Sequence, residues 1–295
     1  KPIQYSFLDF SSLELRKFYC ERELELNKRL AANVYIAVVP VRESQHNISI
    51  GRNEGTVIDY AVKMYKLKVE RRMDKLLGKN EVSNVDIKKL AERIATFHKT
   101  ATAIYHKDLS AIREEFNDLE SEKEYLSKQV NDTLGKVIDD TIKFSDQFLN
   151  KNKKLLTVRL NNGFYRDCHG DLHSRNIFLL PEPVPFDCIE FNDDFRQIDV
   201  INEVAFLCMD LDAFDRKDLS ELFLTYYNQF FPAMKTAEER NLFIYYKSYR
   251  ANIRAKVNSL RARSATTNDE KSKALNAAEK YLSLMKGYIS ELQIA

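Results

Sequence analysis

Residues 168–199 read CHGDLHSRNIFLLPEPVPFDCIEFNDDFRQID, and this stretch restricts the possible folds more than any other. His169, Asp171, His173 and Asn176 fall within eight residues. An apolar run at 177–180 follows, then Pro181-Glu182-Pro183, then a second apolar run at 184–191 carrying Asp187 and Glu190. Two short apolar runs across a proline turn predict a β-hairpin. Polar side chains this dense beside buried strands predict a site rather than a solvated surface. The flanking sequence has a helical pattern. The fold must therefore hold a polar loop and a hairpin inside a mainly helical chain.

Length and composition narrow the class. The 295 residues suffice for one large domain or two lobes with a sizeable core. A net charge of +2 implies no polyanion partner, so no nucleic acid is expected. Cys20, Cys168, Cys188 and Cys208 are scattered and form no CxxC pair. Buried, reduced thiols in a cytoplasmic protein are expected. No apolar run approaches the ~20 residues of a membrane span, and no signal-peptide pattern opens the chain, so no membrane partner is expected. Seven glycines favour helices over loops.

Read in order, Asp9-Phe10-Ser11-Ser12 offers an N-cap to a helix over 13–30, rich in acids at Glu21, Glu23 and Glu25. The β-branched run 34–41 predicts a buried strand, 51–55 (GRNEG) a hairpin connection, and 57–64 the returning strand. A helix capped near 84–86 puts Leu90, Ile94, Phe97 and Ala101 on one face, with His98 as a packing histidine. Residues 108–149 predict two charged amphipathic helices broken near Gly135. A helix starts near Ile198, and long helices over 219–231, 237–263 and 269–292 close the chain. This order predicts an α+β protein, a small mixed lobe leading into a helical lobe with an inserted hairpin.

The motif H-G-D-x-H-x-x-N has a chemical reading. A loop Asp can take a proton from an acceptor hydroxyl. An Asn five residues later and an acid on the next hairpin suit a hard cation such as Mg²⁺ on nucleotide phosphates. The catalytic loop of protein kinases has the same Asp-x4-Asn spacing. HGDLHSRN resembles the catalytic loop of the aminoglycoside phosphotransferase and choline kinase-like superfamily, relatives of the protein kinases. The segments 7–31 (FLDFSSLELRKFYCERELELNKRLA), 186–212 and 249–261 (YRANIRAKVNSLR) are similar to an uncharacterised bacterial and archaeal branch of it. The resemblance covers nearly the whole chain.

That resemblance implies a two-lobed, protein-kinase-like fold, with a small lobe over 1–67, a hinge at about 64–68 and a helical lobe over 68–295. It implies ATP and Mg²⁺ as cofactors and a small hydroxyl- or amine-bearing acceptor. Asp171 is implied as catalytic base, Asn176 as metal ligand, and His169 and His173 as shapers of the loop. The next ligand is Glu190 or Asp187. Ile189-Glu190-Phe191 matches the family's I-D-F with Glu for Asp, which favours Glu190. Glu23 is implied as the glutamate that pairs with the phosphate-binding lysine, and Met64 and Tyr65 as hinge residues lining the nucleotide site. Lys63, in Tyr60-Ala61-Val62-Lys63, mimics that lysine but lies too close to His98. The lysine strand is expected just upstream of Lys1-Pro2, and no glycine-rich phosphate loop occurs in the chain. Either the natural N-terminus lies upstream or the small lobe is reduced.

Other readings compete. The Glu-for-Asp strand and the missing lysine point to a pseudokinase or nucleotide-regulated interaction module. His169, Asp171 and His173 at i, i+2, i+4 would form a transition-metal site if further ligands joined them. Lys247, Arg250 and Arg254 form a stripe that would either bind an anionic substrate or face solvent.

Overall fold

The computed structural model describes residues 3–5, 8–45 and 47–294. Lys1 and Pro2, just upstream of which the lysine strand is expected, and His46 lie outside them. The chain separates into two compact units, Lys1–Ala101 with Asp167–Ile198, and Thr102–Arg166 with Asp199–Ala295. The architecture is α+β, with small antiparallel sheets and a larger helical part. Residue 67, the expected lobe boundary, falls inside the first unit.

The first unit opens with a short antiparallel pair, β1 (Gln4–Tyr5) and β2 (Leu8–Asp9). Helix α1 (Leu13–Ala31) follows, its N-terminus capped by the Ser12 side chain, which accepts from Leu15 N–H. β3 (Tyr35–Ser44), β4 (Asn47–Ile50) and β5 (Thr56–Met64) form a sheet of order β4-β3-β5. The GRNEG segment thus joins β4 to β5 across β3, instead of turning β3 directly into β5. The alternating segment Asn-Ile-Ser-Ile supplies the extra strand, and Gly51 and Gly55 take the positive φ angles (72° and 94°) that the link requires. Arg16 pins α1 to β5, donating to Asp59 Oδ1 at 2.8 Å and to the Ile58 carbonyl at 3.2 Å.

After β5 come a 3-10 turn (Val69–Arg71), α2 (Met73–Leu77) and α3 (Asn84–Thr100). Ser83 and Asp86 form a capping box at the start of α3. The expected apolar face is buried, and Phe97 and Ala101 pack on Leu30 of α1. His98 is fully buried.

The second unit begins with α4 (Ala111–Asn117), α5 (Lys123–Gln129) and α6 (Thr133–Asn161). The break falls at 130–132, not at Gly135, which is inside α6. There the Asn131 carboxamide oxygen accepts from Thr133 N–H and its hydroxyl. Gly135 serves packing instead, because a Cβ there would lie 2.9 Å from Ser127 Oγ.

The chain then crosses between the units along β6 (Tyr165–Asp167), forms β7 (Ile177–Phe178) and β8 (Val184–Pro185) within the first unit, and returns along β9 (Gln197–Asp199). The hairpin is shorter than its apolar runs predict. Asp187 adopts φ 64°, which ends the strand after Pro185.

Helices α7 (Val200–Ala213), α8 (Lys217–Phe230), α9 (Ala237–Ser264) and α10 (Asn268–Ile294) complete the second unit. Every residue of α7 is buried, with α8 and α9 packed against it. A helix apolar on most sides can only sit at the centre of a bundle. Among the described residues no helix is long and apolar enough to cross a membrane. No disulfide joins the four cysteines, and Cys168, Cys188 and Cys208 are buried.

Candidate active site

The polar loop is held from several sides by residues of its own unit. Arg29, on the last turn of α1, donates to the Asp167 and Cys168 carbonyls, both at 2.9 Å. The Asn27 side-chain oxygen accepts from Cys188 N–H at 2.9 Å, and Tyr35 Oη from Asp187 N–H at 3.3 Å. Arg196, fully buried, joins the two ends of the stretch. It donates to Asp167 Oδ1 at 2.5 Å, to the Ile189 carbonyl at 2.8 Å and to Asp193 Oδ1 at 2.6 Å. Val184 and Phe186 pack on Ala31, Val34 and Tyr35, so the hairpin is seated where α1 meets the sheet. None of these anchoring residues stands out in the sequence. Arg29, Asn27 and Tyr35 each act across more than a hundred positions.

Within the loop, the histidines order the backbone. His169 Nδ1 accepts from Asp171 N–H at 3.3 Å, so its Nε2 carries the proton and donates to the Phe186 carbonyl at 2.8 Å. His173 repeats the device: Nδ1 accepts from Arg175 N–H at 3.2 Å, and Nε2 lies 3.3 Å from Asp171 Oδ2. Both ring nitrogens of each histidine are thereby engaged, which favours loop architecture over a transition-metal site. Gly170 has φ 89°, and a Cβ there would lie 3.0 Å from the Phe195 carbonyl oxygen and 3.1 Å from Ile189 Cδ1. Only glycine fits between the histidine and the aspartate.

Asn176 donates through Nδ2 to Asp171 Oδ2 at 2.9 Å and to the Asp171 carbonyl at 3.1 Å. Both partners are acceptors, so the amide nitrogen must face them and the carboxamide oxygen is left to face elsewhere. The Asp171 side chain is 36% exposed, whereas His169, His173 and Asn176 are buried.

Three acids next to this loop repel one another. Burial, then the charge of Asp171, raises the Asp187 carboxyl, against the pull of His169 and His173. Burial and Asp187 push Glu190 up to about 7, although its own backbone N–H and Arg196 act the other way. Burial, then Glu190 and Asp187, push Glu23 up to about 7. The charges run from Asp171 to Asp187 and on to Glu190 and Glu23. Sequence favours Glu190 as the metal acid, while Asp187 is the one that feels Asp171. Acids whose carboxyls are raised by burial and by neighbouring acids, in the same unit as the Asn176 carboxamide, supply oxygen donors of the kind that a hard divalent cation takes.

This cluster has a stability consequence. A carboxyl raised on folding binds more protons in the native state than in the unfolded one between about 4.5 and 7. Its contribution to stability therefore falls as pH rises through that window. Glu23→Gln is expected to raise Tm at pH 8 and leave it nearly unchanged at pH 5. Thermal unfolding at both pH values checks this, and an equal shift at both would refute it.

The remaining predicted residues lie elsewhere. Met64 ends β5 and Tyr65 follows it, both exposed, with Tyr65 N–H donating to the Val34 carbonyl at 2.9 Å. Lys247, Arg250 and Arg254 are buried on α9 in the second unit, so they form no solvated face. Lys247 Nζ lies 2.5 Å from Asp212 Oδ2, Arg250 donates to Asn202 Oδ1 at 2.7 Å, and Arg254 lies 5.5 Å from the Tyr281 ring centroid. Their spacing is that of a helix face, and it faces the unit's own acids and rings.

Among known proteins, the chain is 31% identical over 268 residues to an uncharacterized protein of Mycobacterium bovis, Mb2027c, and equally to Rv2004c, an uncharacterized protein of Mycobacterium tuberculosis. Each match covers 88% of this chain and 51% of the relative. The chain thus spans about half the length of the curated relatives it matches. No protein family model matches the chain.

Proposed function

We propose that this chain is a protein-kinase-like phosphotransferase of the aminoglycoside phosphotransferase and choline kinase-like superfamily. It would move the γ-phosphoryl group of ATP to a small hydroxyl- or amine-bearing acceptor. The observation that carries this reading is the Asn176 amide clamped on the half-exposed Asp171 carboxylate beside a cluster of protonatable acids. In the step, the acceptor oxygen or nitrogen bonds to the γ-phosphorus. The bond from that phosphorus to the β–γ bridging oxygen breaks, ADP leaves, and Asp171 takes the acceptor's proton. The Asn176 side-chain oxygen and Asp187, with Glu190 behind it, would hold Mg²⁺. That ion would neutralise phosphate charge.

The nucleotide reading is tested by thermal-shift titration. ATP with Mg²⁺ is expected to raise Tm, with stabilisation of about 2.7 kcal/mol at a hundredfold excess over Kd. Omitting Mg²⁺ should weaken the effect, and Asp187→Asn should abolish the difference. The acids acting on Glu23, where the resemblance implies a lysine partner, favour a second reading, a nucleotide-regulated interaction module. Binding that ignores Mg²⁺, with no turnover, would support that module instead.

A further inference from the structure

The chain as a whole is near neutral, yet residues 63–75 (KMYKLKVERRMDK) carry six Lys or Arg side chains against Glu70 and Asp74. This basic segment lies against the polar loop. Leu179 N–H donates to the Arg71 carbonyl at 2.9 Å, and the Arg71 guanidinium returns two bonds to the Leu179 carbonyl at 2.9 and 2.5 Å. Arg72 bridges to Phe178, and α2 packs on the turn Ser174–Asn176.

The charge is not balanced locally. Arg72 forks onto Asp74 at 2.6 and 2.9 Å, which uses the acid of α2. Despite its burial, Asp74 stays below the usual carboxylate range. The Arg72 hydrogen bonds hold it there, then the charges of Arg72, Lys75 and Arg175. Lys75 and Arg175 therefore stand close to an acid that is already paired. Both are exposed, and Arg175 is the exposed residue in a run, 172–179, that is otherwise buried. Four positions separate Arg175 from Asp171, so their Cα atoms lie within about 14 Å even if that link were extended. A small molecule can span that distance.

Resting on the phosphotransferase reading, we propose that the acceptor is itself anionic, a phosphate monoester bearing a free hydroxyl. Its phosphate would be held by Lys75 and Arg175 while the hydroxyl meets Asp171. Arginine and lysine beside a rigid loop suit a phosphate group through charge-assisted bonds.

The test is equilibrium titration of the whole chain with glycerol 3-phosphate and with glycerol. Wild type is expected to bind the phosphate ester and not the alcohol. Lys75→Ala/Arg175→Ala should weaken binding about tenfold or more, as expected for loss of two charge-assisted contacts. Lys151→Ala/Lys154→Ala, which removes the same charge from exposed positions of α6, should retain it. Unfolding curves establish that every variant is folded. No binding by wild type, or undiminished binding by the Lys75/Arg175 variant, overturns the proposal. So does displacement by Mg²⁺ and a non-hydrolysable ATP analogue, which would assign the cations to the nucleotide. Binding seen only with duplex DNA or anionic vesicles overturns it in favour of a polymeric partner. If the ester binds as expected but no ATP-dependent transfer occurs to any phosphorylated alcohol, the anion site stands and the phosphotransferase reading fails.

Discussion

Asp171→Ala is expected to lower ATP-dependent phosphoryl transfer by a factor of about 10²–10⁴, the usual range for loss of a positioned general base. The fold should survive. The Asp171 side chain is 36% exposed and packs no core, and one of the two Asn176 bonds goes to the Asp171 backbone carbonyl, which remains. Asp171→Asn separates chemistry from architecture. Its side-chain oxygen can still accept from Asn176 Nδ2, so the loop geometry is kept while proton acceptance is lost. Single-turnover measurements with ATP, alongside Tm, check both variants. Unchanged turnover in either would sink the mechanism, and a collapsed Tm would show that the loop depends on the carboxylate for structure.

The second large effect concerns stability and lies in the other unit. Arg159 and Asp199 are almost completely buried, with side chains 1% and 0% exposed. They meet through two bonds, Nε to Oδ2 at 2.6 Å and Nη2 to Oδ1 at 2.9 Å. Asp199 also caps α7, accepting from Ile201 N–H at 3.1 Å. Asp199→Ala leaves the guanidinium its Nη1 bonds to the Ala233 carbonyl and Glu239 and its contact with the Phe164 ring, with nothing in place of the carboxylate on Nε and Nη2. It also removes the cap. Breaking one side of a buried pair costs about 3–5 kcal/mol, and a lost N-cap adds about 1 kcal/mol. Urea unfolding should show a midpoint lowered accordingly, with a similar m-value. A change below about 1 kcal/mol, the range of an exposed pair, would mean the pair is not the buried anchor that its geometry indicates.

The site and its supports differed in how well they could be read from sequence. His169, Asp171, His173 and Asn176 are close along the chain, and short spacings convert directly into a local loop. The same is true of the α3 face, where periodicity of apolar residues decides burial. Two kinds of feature were not legible. One is the backbone exception: Asp187 at φ 64° cuts β8 short, and the Asn131 side chain moves the helix break away from Gly135. The other is the long-range contact, as in Arg29, Asn27 and Tyr35 reaching the stretch 167–188. The basic stripe on α9 shows the limit clearly. Lys247, Arg250 and Arg254 have the spacing of a solvated face, and they are buried because Asp212, Asn202 and the ring of Tyr281 receive them.

By itself, then, the sequence determined the polar loop, its order of residues and most of the helices, because these depend on neighbours a few positions apart. Only the tertiary structure decided which acid lies next to Asp171, which cations are buried and which are exposed beside the loop. The physical reason is that charge, burial and hydrogen bonding act through space. Glu23 is raised by Glu190 and Asp187, and Glu190 by Asp187, although Glu23 stands far from the other two in the chain.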